Sequence, residues 1–359
     1  MTPIQFSSRR RFLRTSILTG VAAMSGTTWV PRRLEAGQTE PSPSVSSRVA
    51  LTAGEDRANN TFRALQPFAQ EIKAAIGNRR VVIKPNNVAI DNQLAATHAD
   101  CLEGILEFLK SIGKSGQVVI AESAANGPTL DGYANYGYGK VAAKYQTKMV
   151  DLDRAETAVL QVFDETDFHP HPVRVSSLLL DRNNYLISAA KLKTHDRIVA
   201  TLSLKNIVLG APIKDQGFRW GPGGRAGAKT DKPIVHGSGF RGLNFNLFAL
   251  AQRLRPDLAV IDGYRGMEGN GPVGGSAVEH RVCAASTDWL AADRVGIELM
   301  GIDFTRVGYL NYCTQAKLGQ GELSKIEVMG ERVTDHVKRY RLHDNVNEQM
   351  IWQRRIEKG

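Results

Sequence analysis

Short apolar runs rich in Val, Ile and Leu recur along this chain, with helix-like segments between them. The runs that predict strands span 48–54, 81–86, 117–123, 185–191 and 257–263. The clearest helical pattern covers 98–113, where apolar residues recur every three or four positions. Strands that are apolar throughout and alternate with helices form sheets covered on both faces. The sequence therefore predicts an α/β fold with a largely parallel central sheet and helices on both faces.

Composition divides the chain into successive regions. Residues 1–36 predict a signal peptide, and 37–47 form a polar linker rich in Pro and Ser. Residues 48–305 predict the main α/β domain, and 306–359 predict a C-terminal extension packed on it. Within the main domain, 213–244 is rich in Gly and carries six Lys/Arg against two Asp. Such a long basic loop predicts a mobile lid, and a plain surface excursion is the alternative.

The N-terminus predicts export. Arg9, Arg10 and Arg11 precede Phe12-Leu13 and an apolar stretch at 15–30, which resembles a twin-arginine export signal. The alternative is a basic, disordered N-terminus. The apolar stretch is too short for a comfortable membrane span, so we expect no stable span after cleavage. The expected partner is the twin-arginine translocation machinery, and the expected location is the periplasm or another exported site.

Net charge argues against a nucleic-acid partner. The whole chain carries a formal +10, but residues 1–36 hold six Arg and one Glu, which leaves only +5 for the rest. A protein that binds nucleic acid through its phosphates usually shows a stronger and more clustered basic surface. We therefore expect no nucleic-acid partner.

Polar and charged residues follow the predicted strands. The candidates for substrate binding are Lys84, Asn86, Glu122, Lys191, Lys193, Asn206, Gly269 and Gly271. In open α/β sheets, ligands bind outside the carboxyl ends of the strands. The pattern predicts one mixed-charge cleft that holds a small anionic ligand. The alternative is that these strand ends are polar only because loops face solvent.

Residues 191–210, KLKTHDRIVATLSLKNIVLG, place Lys205 and Asn206 inside an apolar run. Burying an unpaired ammonium costs several kcal/mol, so such groups are normally paired or bound. The catalytic candidates are His195 for proton transfer, Lys205, Asp262 and Glu268. The carboxylates have two interpretations: they neutralise the lysines, or they hold a divalent metal while the lysines bind an anion.

The sequence GNGPVG at 269–274 formally matches the glycine pattern of a dinucleotide-binding loop. That loop needs a strand-to-helix turn, whereas Pro272 intervenes here and HRVCAAS, which follows, predicts a strand. We expect a Gly-rich turn that lets the backbone approach a ligand.

Three segments resemble the bacterial and archaeal "domain of unknown function 362" family: IKPNN (83–87), KLKTHDRIVATLSLKNIVLG (191–210) and MEGNGPVGG (267–275). The resemblance runs from about 48 to about 305 and implies a family without a settled reaction. Some members carry a ferredoxin-like iron–sulfur segment. This chain has only three cysteines, far apart, so no iron–sulfur cluster is expected.

The combined expectation is an exported enzyme that acts on a small anionic substrate in a Lys/His/Asp/Glu cleft. The alternative is a periplasmic protein that binds a ligand or cofactor without turnover. A structural or interaction role is the third possibility, and it predicts no preformed pocket at the strand ends.

Overall fold

A mixed sheet of nine strands organises residues 46–355, the part of the chain that the computed structural model describes. The predicted signal peptide and nearly all of the linker lie outside these residues. The strands are β1 Ser47–Ala53, β2 Arg80–Pro85, β3 Val118–Glu122, β4 Lys148–Asp151, β5 Thr157–Phe163, β6 Pro170–Ser176, β7 Asn184–His195, β8 Val199–Thr201, β9 Leu258–Glu268, β10 Ser276–Ser286 and β11 Ile326–Gly330. Strands β5 and β6 form a separate antiparallel hairpin.

Helices connect the strands. They are α1 Arg57–Leu65, α2 Ala69–Ile76, α3 Ala99–Ser111, α4 Thr129–Asn135, α5 Tyr138–Lys144, α6 Ser203–Val208, α7 Lys232–Val235, α8 Phe240–Ala251, α9 Trp289–Leu299, α10 Gly308–Gln315, α11 Val333–His336 and α12 Val346–Gln349. None of the described helices is long and apolar enough to cross a membrane.

The sheet order is β11-β1-β10-β9-β7-β2-β3-β4, with β8 paired to β7. Neighbouring strands from β9 through β7, β2 and β3 to β4 are all parallel, whereas β10 is antiparallel to both of its neighbours. The predicted α/β fold with a largely parallel sheet is confirmed. The chain proceeds from β2 to β3 and β4 on one side, and then places β7 and β9 on the other. The order therefore reverses between β2 and β7, where a ligand crevice is expected.

Alternating side chains of the central strands enter two separate cores. Val81 and Ile83 of β2 face the core that α1, α2, α3 and α5 cover. Val82 faces the opposite core, which α6, α8, α9 and α10 cover. This alternation follows from the two-residue period of a strand, and both faces are apolar because both are covered. It also places Lys84, two residues after Val82, on the side of α6.

Two strands extend further than the sequence predicted. The polar residues from Lys191 onward were expected to follow the strand, but β7 continues to His195 and is buried throughout. In the same way, β9 continues past Asp262 to Glu268. The prediction was wrong because the two strands pair along this stretch, with Lys191 opposite Asp262 and Lys193 opposite Met267. Pairing satisfies the backbone while the polar side chains find partners across the sheet.

The basic segment 213–244 is not loop throughout. It contains all of α7 and the first turn of α8, both packed into the apolar core through residues such as Val235 and Leu243. The C-terminal region adds β11, which lies parallel to β1 at the edge of the sheet, and α10, which packs against α8.

Candidate functional site

A cavity of about 200 Å³ lies at the reversal between β2 and β7. Six residues that the sequence singled out line it: Lys84, Asn86, Glu122, His195, Lys205 and Asn206. They come from the ends of three parallel strands and from α6. Two larger surface depressions, of 530 and 370 Å³, lie elsewhere. Each contains an ion pair, Arg294 with Glu298 in the first and Arg48 with Glu71 in the second, and in each the carboxylates outnumber the cations. Of these three, the smaller cavity is the one lined by more cationic side chains than carboxylates.

Lys84 and Glu122 form a buried ion pair at the floor of this cavity. Lys84 Nζ lies 2.7 Å from Glu122 Oε1, and both side chains are almost fully buried. The carboxylate also accepts hydrogen bonds from the backbone N–H groups of Asn87 and Ser123, at 2.9 and 2.8 Å. Burial lowers the pKa of Lys84, and Glu122 partly offsets that effect. The carboxylate is thus held by the backbone that follows β2 and β3, and it holds the lysine in turn.

Asn206 connects α6 to the strands below it. Its Nδ2 donates to the backbone oxygen of Lys84 and to Ser188 Oγ, both at 3.0 Å. Its Oδ1 accepts from Lys84 Nζ and from Asn86 Nδ2, both at 3.1 Å. These four bonds use the full capacity of the amide. Asn206 therefore positions Lys84 and Asn86, while Oδ1 of Asn86 is buried and has no hydrogen-bond partner among residues 46–355.

Helix α6 has six residues, all of them buried, and a carboxylate holds its first turn. Asp293 of α9 accepts from the backbone N–H groups of Ser203 and Leu204, at 2.8 and 3.1 Å, and from Ser203 Oγ. Burial raises the pKa of Asp293 to about 7. Because two orphan N–H groups of the helix are satisfied in this way, the orientation of α6 is defined.

Lys205 of α6 lines the cavity and is only 4% exposed. Its Nζ makes no hydrogen bond and no ion pair with any residue in the described range 46–355. Burial lowers its pKa to about 7, and the nearby charge of Lys84 acts in the same direction. The carboxylate of Asp196 opposes this shift but does not contact the ammonium. Lys205 is thus a buried amine whose hydrogen-bonding capacity faces the cavity.

Gly210 is required where the chain leaves α6. A Cβ added at this position would lie 1.9 Å from Cε of Lys84 and 2.3 Å from its Nζ. No rotamer adjustment of a fully buried lysine removes an overlap of that size without displacing the ion pair. The glycine therefore provides the space for Lys84 at the floor of the cavity.

His195 is buried at the end of β7. Its Nδ1 lies 3.0 Å from Oδ1 of Asp196 and 3.1 Å from the backbone nitrogen of Arg197. These contacts make opposite demands on Nδ1, which donates to a carboxylate but accepts from an N–H. Because a backbone N–H can only donate, Nδ1 accepts from Arg197, and the proton of the neutral ring is on Nε2. Burial lowers the pKa of His195 to about 3, with Lys205 contributing, so the ring is neutral at pH 7.

The basic segment 213–244 supplies four further cavity residues that sequence reasoning did not single out: Trp220, Lys232, Pro233 and His236. Lys232 Nζ donates to the backbone oxygen of Pro212 at 2.7 Å, and burial lowers its pKa to about 7. Burial also lowers the pKa of His236 to about 4. Trp220 is 57% exposed at the rim. The excess of basic and Gly residues was the available signal, but it did not identify which of them face inward.

Lys191 and Asp262 lie outside the cavity lining, together with Arg57 of α1. Lys191 Nζ is 3.5 Å from Oδ2 of Asp262, and Arg57 Nε is 3.3 Å from Oδ1. Burial disfavours the charged form of Asp262, but the two cations outweigh it and keep its pKa below the usual value. The group is a buried, mutually neutralising cluster on the face that α1 and α3 cover.

Lys193 lies between this cluster and the cavity. Its Nζ donates to the backbone oxygens of Ala95 and Pro272, at 2.7 and 3.3 Å. Burial lowers its pKa strongly, and Lys205 and Lys191 add to the effect. Lys193 does not line the cavity, although Lys205 is close enough to lower its pKa.

The predicted Gly-rich turn packs against protein backbone. Gly269 has a φ of +74°, and its N–H donates to the backbone oxygen of Arg341 at 2.6 Å. A Cβ on Gly271 would lie 2.2 Å from the backbone oxygen of Thr194. Oε2 of Glu268 accepts from the backbone N–H of Arg341 at 2.9 Å. In this structure the turn joins β7 to the C-terminal region, and only Pro272 from it lines the cavity.

Within residues 46–355, no group of three or more His, Cys, Asp or Glu side chains is arranged to hold a metal ion. The two carboxylates that the sequence offered as metal ligands are each bonded to protein donors. All three cysteines of this region are buried and unpaired with each other.

Comparison with known proteins identifies a family but not a reaction. Residues 81–298 match a family described as "Domain of unknown function (DUF362)". The chain is also similar to a thylakoid-associated protein of Synechocystis sp., with 24% identity over 226 residues. That match covers 62% of this chain and 64% of the relative, so the chain spans less than two thirds of the relative's length.

Proposed function

This chain belongs to the DUF362 family, and we propose that it is an enzyme acting on a small anionic molecule bound in the cavity between β2 and β7. One observation carries the proposal: Lys205 is buried, its amine has no partner among residues 46–355, and it lies in a cavity that also contains Lys84 and Lys232. A buried cation without a partner is costly unless a ligand supplies the opposite charge.

The charges that line the cavity favour an anion. The three lysines have two carboxylates among them: Glu122 is paired with Lys84, and Asp196 is partly exposed and forms no ion pair with Lys205 or Lys232. The pKa values of Lys205 and Lys232 are both lowered to about 7, largely by burial. An anion bound at Lys232 would raise the pKa of that lysine again and would hold its amine protonated.

His195 is the proposed proton-transfer group. Its ring is neutral at pH 7 and lines the same cavity as Lys205. With Nδ1 accepting from the backbone N–H of Arg197, Nε2 carries a proton that it can donate to a ligand and then take back. Asn206 and Glu122 position Lys84, and Asn206 also positions the amide of Asn86. We do not expect either of them to contact the ligand.

Anion binding can be tested by thermal melting with phosphate, acetate or malonate as probes. We expect at least one of them to raise the melting temperature of the wild-type chain. In Lys205→Met and Lys232→Met, the loss of a buried charge contact should weaken binding by about 2–5 kcal/mol. Lys140→Met is the matched control, since Lys140 is exposed on α5. If no anion stabilises the chain, or if all three variants respond like the wild type, the proposal fails.

Turnover needs a separate experiment. Native mass spectrometry of the protein purified from its host would identify any retained ligand, and NMR would then follow that ligand's conversion. His195→Ala should abolish conversion while binding is retained. If the wild-type chain binds the ligand but never converts it, the chain is a binding protein without turnover.

We also propose export through the twin-arginine pathway, on the N-terminal sequence pattern. The similarity to a thylakoid-associated protein is compatible with a role away from the cytoplasm. Replacing Arg9 and Arg10 by Lys should leave precursor in the cytoplasm, as cell fractionation would show. A normal exported yield from this double variant would contradict the proposal.

A further inference from the structure

The three lysines that line the cavity differ in how many of their hydrogen bonds are satisfied. Lys84 Nζ has three acceptors: Glu122 Oε1 at 2.7 Å, the backbone oxygen of Pro85 at 3.0 Å and Asn206 Oδ1 at 3.1 Å. Since an ammonium has three N–H donors, Lys84 is saturated. Lys232 donates to two backbone oxygens, at 2.7 and 3.4 Å. Lys205 has no partner among the described residues, so its amine is the one available for chemistry.

The surroundings of Lys205 favour a neutral amine. The group is buried and Lys84 lies within electrostatic range; the carboxylate of Asp196 opposes the effect but is partly exposed and does not contact the amine. Desolvation and a neighbouring cation are the two means by which proteins make a lysine nucleophilic at neutral pH. The neutral rings of His195 and His236 and the amine of Lys193, whose pKa is strongly lowered, are the other titratable groups near Lys205, and none of them neutralises a cation.

The backbone also holds Lys205 in a defined position. Asp293 satisfies the first turn of α6, and the N–H of Leu209 donates to the backbone oxygen of Lys205 at 2.9 Å. Asn206, the next residue, is tied to β2 and β7 through Lys84 and Ser188. A nucleophile needs this kind of positioning, whereas a lysine that only adds positive charge does not.

We propose that Lys205 forms an imine with a small anion that carries an aldehyde or ketone, of which a 2-oxo acid is the simplest type. The inference rests on the proposed anion site. The carboxylate would be held by Lys232, whose third N–H has no acceptor among residues 46–355, which leaves the adjacent carbonyl carbon for Lys205.

The step balances without any further reactant. The neutral amine attacks the carbonyl carbon and forms a C–N bond, and the C=O π electrons move to oxygen. The nitrogen loses two protons in total and the oxygen gains two, so the oxygen leaves as water and a C=N bond remains. His195 lines the cavity with a proton on Nε2, so it can give that proton to the oxygen and take one from the nitrogen.

Reductive trapping tests the proposal directly. The purified full chain is incubated at pH 7 with pyruvate or glyoxylate and sodium cyanoborohydride, which reduces the iminium to a stable secondary amine. Intact-mass measurement counts the adducts, and peptide mapping locates them. At pH 7 the neutral fraction of Lys205 exceeds that of an ordinary lysine by about a thousandfold. We therefore expect a single early adduct at Lys205, with exposed lysines such as Lys140 labelled much later.

Two variants serve as controls. Lys205→Arg keeps the positive charge but forms no imine with these probes, so the early adduct should disappear. Lys232→Met keeps Lys205 but removes part of the anion site, so labelling at Lys205 should slow at low probe concentration and recover at high concentration. Because mapping of the wild-type chain identifies the labelled residue by itself, the test does not depend on either variant folding.

The outcomes separate this inference from the proposed function. If anions stabilise the chain through Lys205 and Lys232, but adducts spread evenly over exposed lysines, imine formation is overturned and the anion site stands. If no anion binds and no selective adduct forms, both proposals fall. A selective adduct that persists in competition with excess acetate would show reaction at Lys205 without the anion site, and would overturn the 2-oxo acid assignment.

Discussion

Replacing Lys205 by Met should make the ligand-free protein more stable, which is the opposite of the usual effect of a core substitution. Met keeps a side chain of similar length and removes the charge. In the folded protein burial lowers the pKa of Lys205 from 10.5 to about 7, whereas the unfolded chain retains the ordinary value. At pH 7 the unfolded state therefore binds more protons than the folded state, and this lysine destabilises the fold.

The magnitude follows from the difference in pKa. One pKa unit corresponds to about 1.4 kcal/mol, so this lysine costs about 4 kcal/mol of folding free energy at pH 7. The folded pKa is depressed, so the stability of the wild-type protein rises with pH between about 7 and 10.5. At pH 9.5 the remaining cost is about 1.5 kcal/mol. The advantage of Lys205→Met should shrink accordingly.

Urea denaturation followed by circular dichroism measures this difference at pH 7 and at pH 9.5. Lys140→Met, on an exposed position of α5, should change stability by less than about 0.5 kcal/mol at either pH. If Lys205 were instead a member of a structural ion pair, its removal would destabilise the protein by about 3–5 kcal/mol. A less stable Lys205→Met variant, or an advantage that does not change with pH, would refute the reasoning.

Two further substitutions probe the floor of the cavity. Glu122→Gln leaves the buried ammonium of Lys84 without its counterion and should lower the free energy of unfolding, measured by urea denaturation, by about 3–5 kcal/mol. The control Glu71→Gln breaks the half-exposed pair with Arg48 and should lower it by less than about 1 kcal/mol. Similar losses of stability at both sites would contradict the assignment of Lys84 and Glu122 as a buried ion pair. Gly210→Ala places a methyl group on the side chain of Lys84 and should lower stability by about 1–3 kcal/mol; an unchanged melting temperature would show that the space is not needed.

Much of the fold could be predicted from local pattern. The apolar runs around 81–83 and 118–121 are strands in the structure, and the pattern at 98–113 is α3. In these elements the buried positions repeat within one strand or one helix, so a short stretch of sequence is enough to show the period. The ends of β7 and β9 could not be predicted in the same way. Their polar residues are satisfied by each other, and the pairing of Lys191 with Asp262 spans 71 positions of the chain.

The candidate site shows the same division. Lys84, Asn86, Glu122, His195 and Lys205 were proposed from their places at strand ends or in an apolar run, and the structure brings all five to one cavity. The roles of other residues at the site could not be predicted from the neighbouring sequence. Asp293 supports α6 from 90 residues away, and the inward direction of Lys232 depends on how its segment folds back over the strands. The roles proposed for these residues stay predictions until binding is measured.

Lys84 and Lys205 show why burial alone does not reveal what a lysine is for. Both side chains are at most 4% exposed, and burial lowers the pKa of both. Lys84 has three acceptors within the protein, so its ammonium is fully hydrogen-bonded. Removing its counterion leaves a buried charge unpaired and lowers the stability of the fold. Lys205 has no acceptor among residues 46–355, so its burial lowers the stability of the ligand-free protein. This loss of stability becomes smaller when an anion or a carbonyl compound binds to the amine. The sign of the stability change on removing charge therefore separates a structural lysine from one kept for a ligand, and here it should differ between two residues of the same cavity.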